Sequence, residues 1–139
     1  MKRVRQRDTK PELMLRRWLW ARGVHFTTRN RDLSGSPDLA NRKRRWAIFV
    51  HGCFWHGHKG CARFSIPKRN HSFWREKVMA NKARDLRKAR DLEAAGFHVV
   101  TIWQCEVERL DTLGPQEADH LLSPLRRHFP RPEAPHPQH

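Results

Sequence analysis

Apolar positions along the chain fall into a helical spacing in some stretches and an unbroken strand-like run in others. Thr9-Lys10-Pro11-Glu12 has the S/T-x-x-E form of a capping box with proline in the first turn, and it leads into a helix over Leu13 to Arg22 that stops at Gly23. Val24 to Thr28 reads as a short strand, Ser34-Gly35-Ser36-Pro37 as a turn, Leu39 to Arg42 as a weak strand, and Trp46 to His51 as a buried one. From His71 to Ala95 the spacing of Phe73, Trp74, Val78, Ala83, Leu86, Ala89 and Leu92 predicts a long helix with Gly96 as its C-cap. Phe97 to Trp103 is a further buried strand, and Pro115 to His128 a final helix. The order αβββαβα defines an α/β (α+β) domain over 9–129, with a mixed sheet flanked by helices. A basic arm, 1–8, precedes it, and a Pro-rich tail, 130–139, expected to be disordered, follows.

Charge changes this picture. Twenty-nine Lys+Arg against fourteen Asp+Glu give +15, so the natural partner is a polyanion. A membrane surface is disfavoured because there is no run of about 18 apolar residues and no apolar stretch follows the basic start. A protein of the cytoplasm, associated with the nucleoid, is expected, with a monomer as the default state.

Gly52 to Pro67 has neither periodicity and must be held by something other than a core. Three cysteines cannot all pair within one chain, and in a reducing compartment they suggest metal ligation. Cys53, His58 and Cys61 are spaced C-x₄-H-x₂-C, and Cys105 lies just past the last strand. Four such ligands suit a structural Zn²⁺ that cross-links the irregular loop. His51 and His56 remain alternative fourth ligands, and single buried cysteines and solvated histidines are the plainer reading.

The block Ala47-Ile48-Phe49-Val50-His51-Gly52-Cys53-Phe54-Trp55-His56-Gly57-His58 is flanked by several further motifs. These are Arg7-Asp8-Thr9-Lys10-Pro11-Glu12, Ser36-Pro37-Asp38, Phe73-Trp74-Arg75-Glu76-Lys77, Asn81, Arg84-Asp85 and Ile102-Trp103-Gln104-Cys105-Glu106. In this order the motifs resemble the very short patch repair (Vsr) mismatch endonuclease family over roughly residues 1–109. The resemblance implies a restriction-endonuclease-like core, a structural zinc, and Mg²⁺-dependent nicking 5′ of the T in a T:G mismatch within double-stranded DNA, the lesion left by deamination of 5-methylcytosine. It makes Asp38 the Mg²⁺-binding carboxylate, with the backbone carbonyl of Val50 as a further ligand where well-known members carry Thr. His56 becomes the general base, with Glu12, His51 and Asp85 beside it. Mismatch-repair proteins are then admissible partners.

The chemistry fits those residue types. Phosphodiester hydrolysis needs a cation held by hard oxygen ligands, a positioned water and a group to take its proton, which a histidine can do at neutral pH. The competing readings are local: Glu12 as capping glutamate, His51 as a core histidine at a strand end, Asp38 as an Asx-turn residue after Pro37. Phe54 and Trp55 either pack inward or, as the resemblance implies, wedge into the base stack beside the mismatch, with Met1 entering from the other groove. Lys68, Arg69, Lys77 and Asn81 are the polar residues expected near them, while Arg3, Arg5 and the 82–90 face offer phosphate contacts or a solvated surface. Two alternatives compete: a same-fold nicking or restriction endonuclease with another target, and a non-catalytic zinc-dependent DNA-binding module.

Overall fold

A computed structural model describes residues 9–110 and 112. Helix α1 spans Lys10–Ala21, strands β1 and β2 span Leu39–Asn41 and Trp46–His51, and helix α2 spans His71–Ala94. Strand β3 spans His98–Trp103 and runs directly into a short helix α3, Gln104–Glu108. The three strands form one sheet in the order β1-β2-β3. β1 pairs antiparallel with β2, and β2 pairs parallel with β3, in a register that sets His51 opposite Trp103. This is a mixed α+β sheet flanked by helices. Among the described residues no helix is long and apolar enough to cross a membrane.

Both faces of β2 are covered, which is why its sequence reads as an unbroken apolar run rather than an alternation. Trp46 and Ile48 pack with Leu15 and Leu19 of α1, Leu39, Ile102, and Val107 just beyond β3. Ala47 and Phe49 pack on the other face with Ala40, Leu92 of α2 and Phe97. Thr9 caps α1 as expected, its hydroxyl accepting the Glu12 amide at 3.5 Å.

One expectation needs correcting, and two features were not foreseen. The strand expected over Val24 to Thr28 is a single bridge, Thr27 to Ala40. Side chains replace the ladder there: the Asn30 amide donates to the carbonyls of Thr27 (2.9 Å) and Pro37 (3.1 Å), and the Asn41 amide to that of His25 (3.0 Å). The apolar stripe of α2 is mostly not core, since only Val78 and Leu92 are buried, while Phe73 and Leu86 are 56% and 51% exposed. At 1.5 Å per residue the helix is about 36 Å long, against strands of about 20 Å, so its N-terminal half overhangs the sheet. Helix α3 was not expected. It forms because the Glu106 carboxylate accepts the Trp103 amide at 3.0 Å and Val107 reaches the core. The arm 1–8, the helix over Pro115 to His128 and the tail 130–139 lie outside the described residues.

Gly35, in the turn before β1, holds φ +74°, and a Cβ there would lie 2.6 Å from the Cβ of Lys88 on α2. Gly35→Ala combines left-handed backbone with a collision against helix-anchored atoms. It is expected to cost roughly 1–3 kcal/mol in chemical denaturation; an unchanged midpoint would contradict this packing.

Candidate functional site

The topology collects the chemistry at one edge of the sheet. β2 and β3 end there and β1 begins there, because β1 runs against β2 while β3 runs with it. Asp38 immediately precedes β1, His51 ends β2, and Cys105 follows β3 by two residues. The irregular segment after β2 folds back over the same edge through backbone hydrogen bonds from His56 to Gly52, His58 to Cys53 and Phe64 to Cys61.

At the first cluster, the Asp38 carboxylate accepts the Val50 amide at 2.7 Å. Glu12, buried on α1 and 3.4 Å from the Arg16 guanidinium, stands close enough to hydrogen-bond with Asp38. Burial first, and then the charge of Glu12, push Asp38 up to about 7. The side chain of Glu12 thus meets Asp38 and Arg16, and the Asp38 carboxylate reaches Val50 of the neighbouring strand. The Val50 peptide meets Asp38 through its amide.

One residue along β2 the second cluster begins. The His51 and His56 rings stack with centroids 4.0 Å apart and planes 7° from parallel. Asp85 of α2 reaches both, at 2.6 Å from Nδ1 of His56 and 3.8 Å from Nε2 of His51. A carboxylate accepts, so His56 donates from Nδ1 and leaves Nε2 as its basic atom. Burial, followed by the neighbouring His56, lowers the proton affinity of His51 to about 4, so it is neutral at neutral pH.

In the third cluster the ligating atoms of Cys53, His58, Cys61 and Cys105 all lie within 4.8 Å of one another. Cys53 is fully buried, and His58 is stacked on Trp103 at 4.2 Å with its Nδ1 3.5 Å from the Cys105 sulfur. Burial and the adjacent Cys53 and Cys61 sulfurs push the Cys105 thiol up to about 12. Three sulfurs so placed cannot all ionise without a cation among them. Metal–sulfur bonds of about 2.3 Å in a tetrahedron separate ligands by roughly 4 Å, so this donor set is close to what a tetrahedral metal needs. The set coincides with the one expected from the sequence; His51 and His56 face Asp85 instead.

Beside the histidines lies an aromatic group. Phe54 and Trp55 are half-buried and meet edge-on, with ring centroids 5.2 Å apart, and each lies 5.8 Å from Trp74. Lys77 sits 5.8 Å over Trp55, and the Asn81 amide donates to the Trp55 carbonyl at 2.8 Å. Lys77 and Asn81 thus join Phe54 and Trp55 as expected, whereas Lys68 and Arg69 lie exposed ahead of α2 with no described contact to them. Met1, Arg3 and Arg5 lie outside the described residues. Sequence reasoning passed over Arg16, Trp74 and Trp103 as parts of the site. The one available signal was the Phe73-Trp74 pair, which repeats Phe54-Trp55.

The chain is similar in sequence to known proteins. The family model for the DNA mismatch endonuclease Vsr matches residues 1–63. The type II nicking enzyme V.XorIIP of Xanthomonas oryzae pv. oryzae is 44% identical over 113 residues, covering 81% of this chain and 82% of that one. The type II nicking enzyme V.NmeAIP of Neisseria meningitidis is 37% identical over 108 residues, 78% of this chain and 76% of that one. The DNA mismatch endonuclease Vsr of Escherichia coli is 35% identical over 113 residues, 81% and 72%. These relatives indicate a DNA endonuclease. The chain belongs to the Vsr family of DNA mismatch endonucleases, and DNA is its partner.

The environment of His51 sets a testable titration. Between about 4 and the ordinary 6.5 the unfolded chain binds a proton at this residue that the folded chain does not, so folding stability from this group falls as pH drops through that window. Nitrogen-15 NMR is expected to show the His51 ring neutral down to about pH 4; a midpoint at the ordinary histidine value would contradict its burial between His56 and the sheet.

Proposed function

We propose that the protein nicks one strand of duplex DNA 5′ of the T in a T:G mismatch, using a divalent cation of the Mg²⁺ type. The observation that carries this is the joining of the two clusters through Val50: its amide binds Asp38, and the next residue, His51, stacks on His56. A carboxylate site for a hard cation and a histidine base are thereby held one peptide apart. The restriction-endonuclease-like arrangement of the core belongs to the same reading and is supported by the mixed sheet between helices.

The residues present fit such a cation. Asp38 and Glu12 are two carboxyls in one buried place, and the elevated proton affinity of Asp38 measures how poorly their charge is compensated. With the Val50 carbonyl as a further oxygen, they would hold Mg²⁺, which when bound neutralises charge on the scissile phosphate. His56 takes the proton of the attacking water at Nε2, since Asp85 occupies Nδ1. Asp85 acts as a positioning residue, and neutral His51 fixes the plane of His56 by stacking. At the Cys/His cluster we assign a structural Zn²⁺ held by Cys53, His58, Cys61 and Cys105, because four protein ligands leave no open position for water.

Phe54 and Trp55 act as wedges at the mismatch, where unstacking costs less than in paired DNA. Their support is the aromatic shelf of Trp74 and the cation of Lys77, which faces Trp55 and Phe73.

Nicking of matched, T:G-mismatched and methylated duplexes with Mg²⁺ tests the reading; equal cutting of matched and mismatched DNA would contradict it. Asp38→Ala is expected to abolish nicking while leaving binding within about an order of magnitude, and loss of binding in step with cleavage would mark Asp38 as structural. In the parent the Mg²⁺ requirement should rise as pH falls below about 7, because the cation must displace the proton that Asp38 then holds.

Trp55→Ala is expected to weaken discrimination between mismatched and paired DNA by ~1–3 kcal/mol with little change in thermal midpoint. Unchanged discrimination in a protein destabilised by ~3–5 kcal/mol would make Trp55 a core residue.

A further inference from the structure

Helix α2 carries two lysines whose placement the reading above does not use. Asp85, on the face of α2 turned to the two histidines, is preceded by Lys82 at three residues and followed by Lys88 at three. At 3.6 residues per turn these lie about 60° to either side of Asp85, whereas Arg84, Arg87 and Arg90 point about 100° or more away. The helix thus sets one cation on each flank of the carboxylate.

Both lysines are laid across a glycine in a loop of the site. Gly57, at φ +64° between His56 and His58, has space for no side chain: a Cβ there would lie 2.8 Å from Cγ1 of the buried Val78, and 2.4 Å from Cε and 3.2 Å from Nζ of Lys82. Gly35, three residues ahead of Asp38, is crossed in the same way by the Cβ, Cγ and Cδ of Lys88, at 2.6, 2.7 and 3.1 Å from a Cβ placed on it. Lys88 is half-buried along its stem, while Lys82 stays exposed with its ammonium free to reach a ligand. The Lys82 ammonium lies 5.7 Å from the Phe64 ring, and the charge of Lys88 is felt at His51, where it disfavours a proton. Asp85 is committed to the histidines, and among the described residues no carboxylate pairs with either ammonium.

Two cations held on both sides of a hydrolytic centre, without counter-ions, call for an anionic ligand that spans the centre. A phosphodiester backbone has that chemistry, and six residues of helix separate the lysines by about 9 Å along the axis, a span that flexible ammonium groups can close onto neighbouring phosphates of one strand. We propose that Lys82 and Lys88 form a two-point phosphate clamp, gripping the backbone of the cleaved strand on both sides of the centre made by Asp85, His51 and His56. The clamp rests on the reading of that centre as the site of nicking. At Gly57 and Gly35 the loops lie close enough for the lysine stems to cross them.

The test uses Lys82→Met, Lys88→Met, the double variant and the two Lys→Arg variants of the full chain, with folding checked by thermal midpoint. Binding to a T:G-mismatched duplex is measured without divalent cation over a range of salt, and single-turnover nicking with Mg²⁺. Each Met substitution is expected to lower the slope of log affinity against log salt by about one, the double by about two, and each Arg variant to keep the parental slope. Nicking by each Met variant should fall on the order of tenfold or more. Parental slopes and rates in both Met variants, or weaker binding at unchanged slope, would overturn the clamp. A parent protein that nicks no duplex contradicts the functional reading instead, and the salt slopes still decide the clamp.

Discussion

The parallel pairing of β2 with β3 sets where every reactive side chain falls. In its register His51 faces Trp103, so the chain leaving β2 and the chain leaving β3 start side by side, and Cys53 comes within reach of Cys105. Successive strand residues alternate between faces, so a slip of one position would turn His51 toward α1 and Val50 toward α2. The pair of His51 with Asp85 would be lost, as would the approach of Val50 to Asp38. The register is held by burial on both faces, with Trp46 and Ile48 on one side and Ala47 and Phe49 on the other. Core packing and site geometry are thus one constraint.

Electrostatics divide the molecule into a site that accumulates negative charge and a surface that carries the opposite excess. Glu12, Asp38 and Asp85 converge on the edge of the sheet while the chain as a whole stands at +15. The surface charge raises the local concentration of duplex and orients it. The carboxylates at the sheet edge concentrate negative potential there, and in the proposed mechanism that is where a small cation would be held against a phosphate. Helix α2 joins the two roles, since its inner face carries Asp85 and its flanks carry lysines.

Those parts of the fold governed by local chemistry were legible in the sequence. The capping Thr9, the doubly buried run of β2 and the spacing of Cys53, His58 and Cys61 each state their role within a few residues. Glu12 was ambiguous because one position serves both the first turn of α1 and the approach to Asp38, and only the distant β1 reveals the second use. The segment around Thr27 was misread as a strand because its β-branched and aromatic residues look alike whether a ladder or the Asn30 and Asn41 side chains satisfy the backbone. The apolar stripe of α2 announced the helix but not its burial, because periodicity reports a helix face and not what covers it. Trp74 and Trp103 enter the site by contacts 19 or more residues away in sequence, to Trp55 and His58 among others; only the Phe73-Trp74 pair gave a local sign of this, and Trp103 gave none.

At the centre of the account is the claim that the Cys/His cluster holds the loop carrying His56 against Asp85. Hydrogen exchange across residues 52–64, measured on the parent and on Cys105→Ser together with bound zinc and nicking rate, tests it most directly. The account predicts that the variant loses its zinc, that amides of the loop such as His56 and His58 exchange rapidly while those of β2 stay protected, and that nicking is lost. A zinc-free variant with a parent-like protected loop and a parental nicking rate would contradict it.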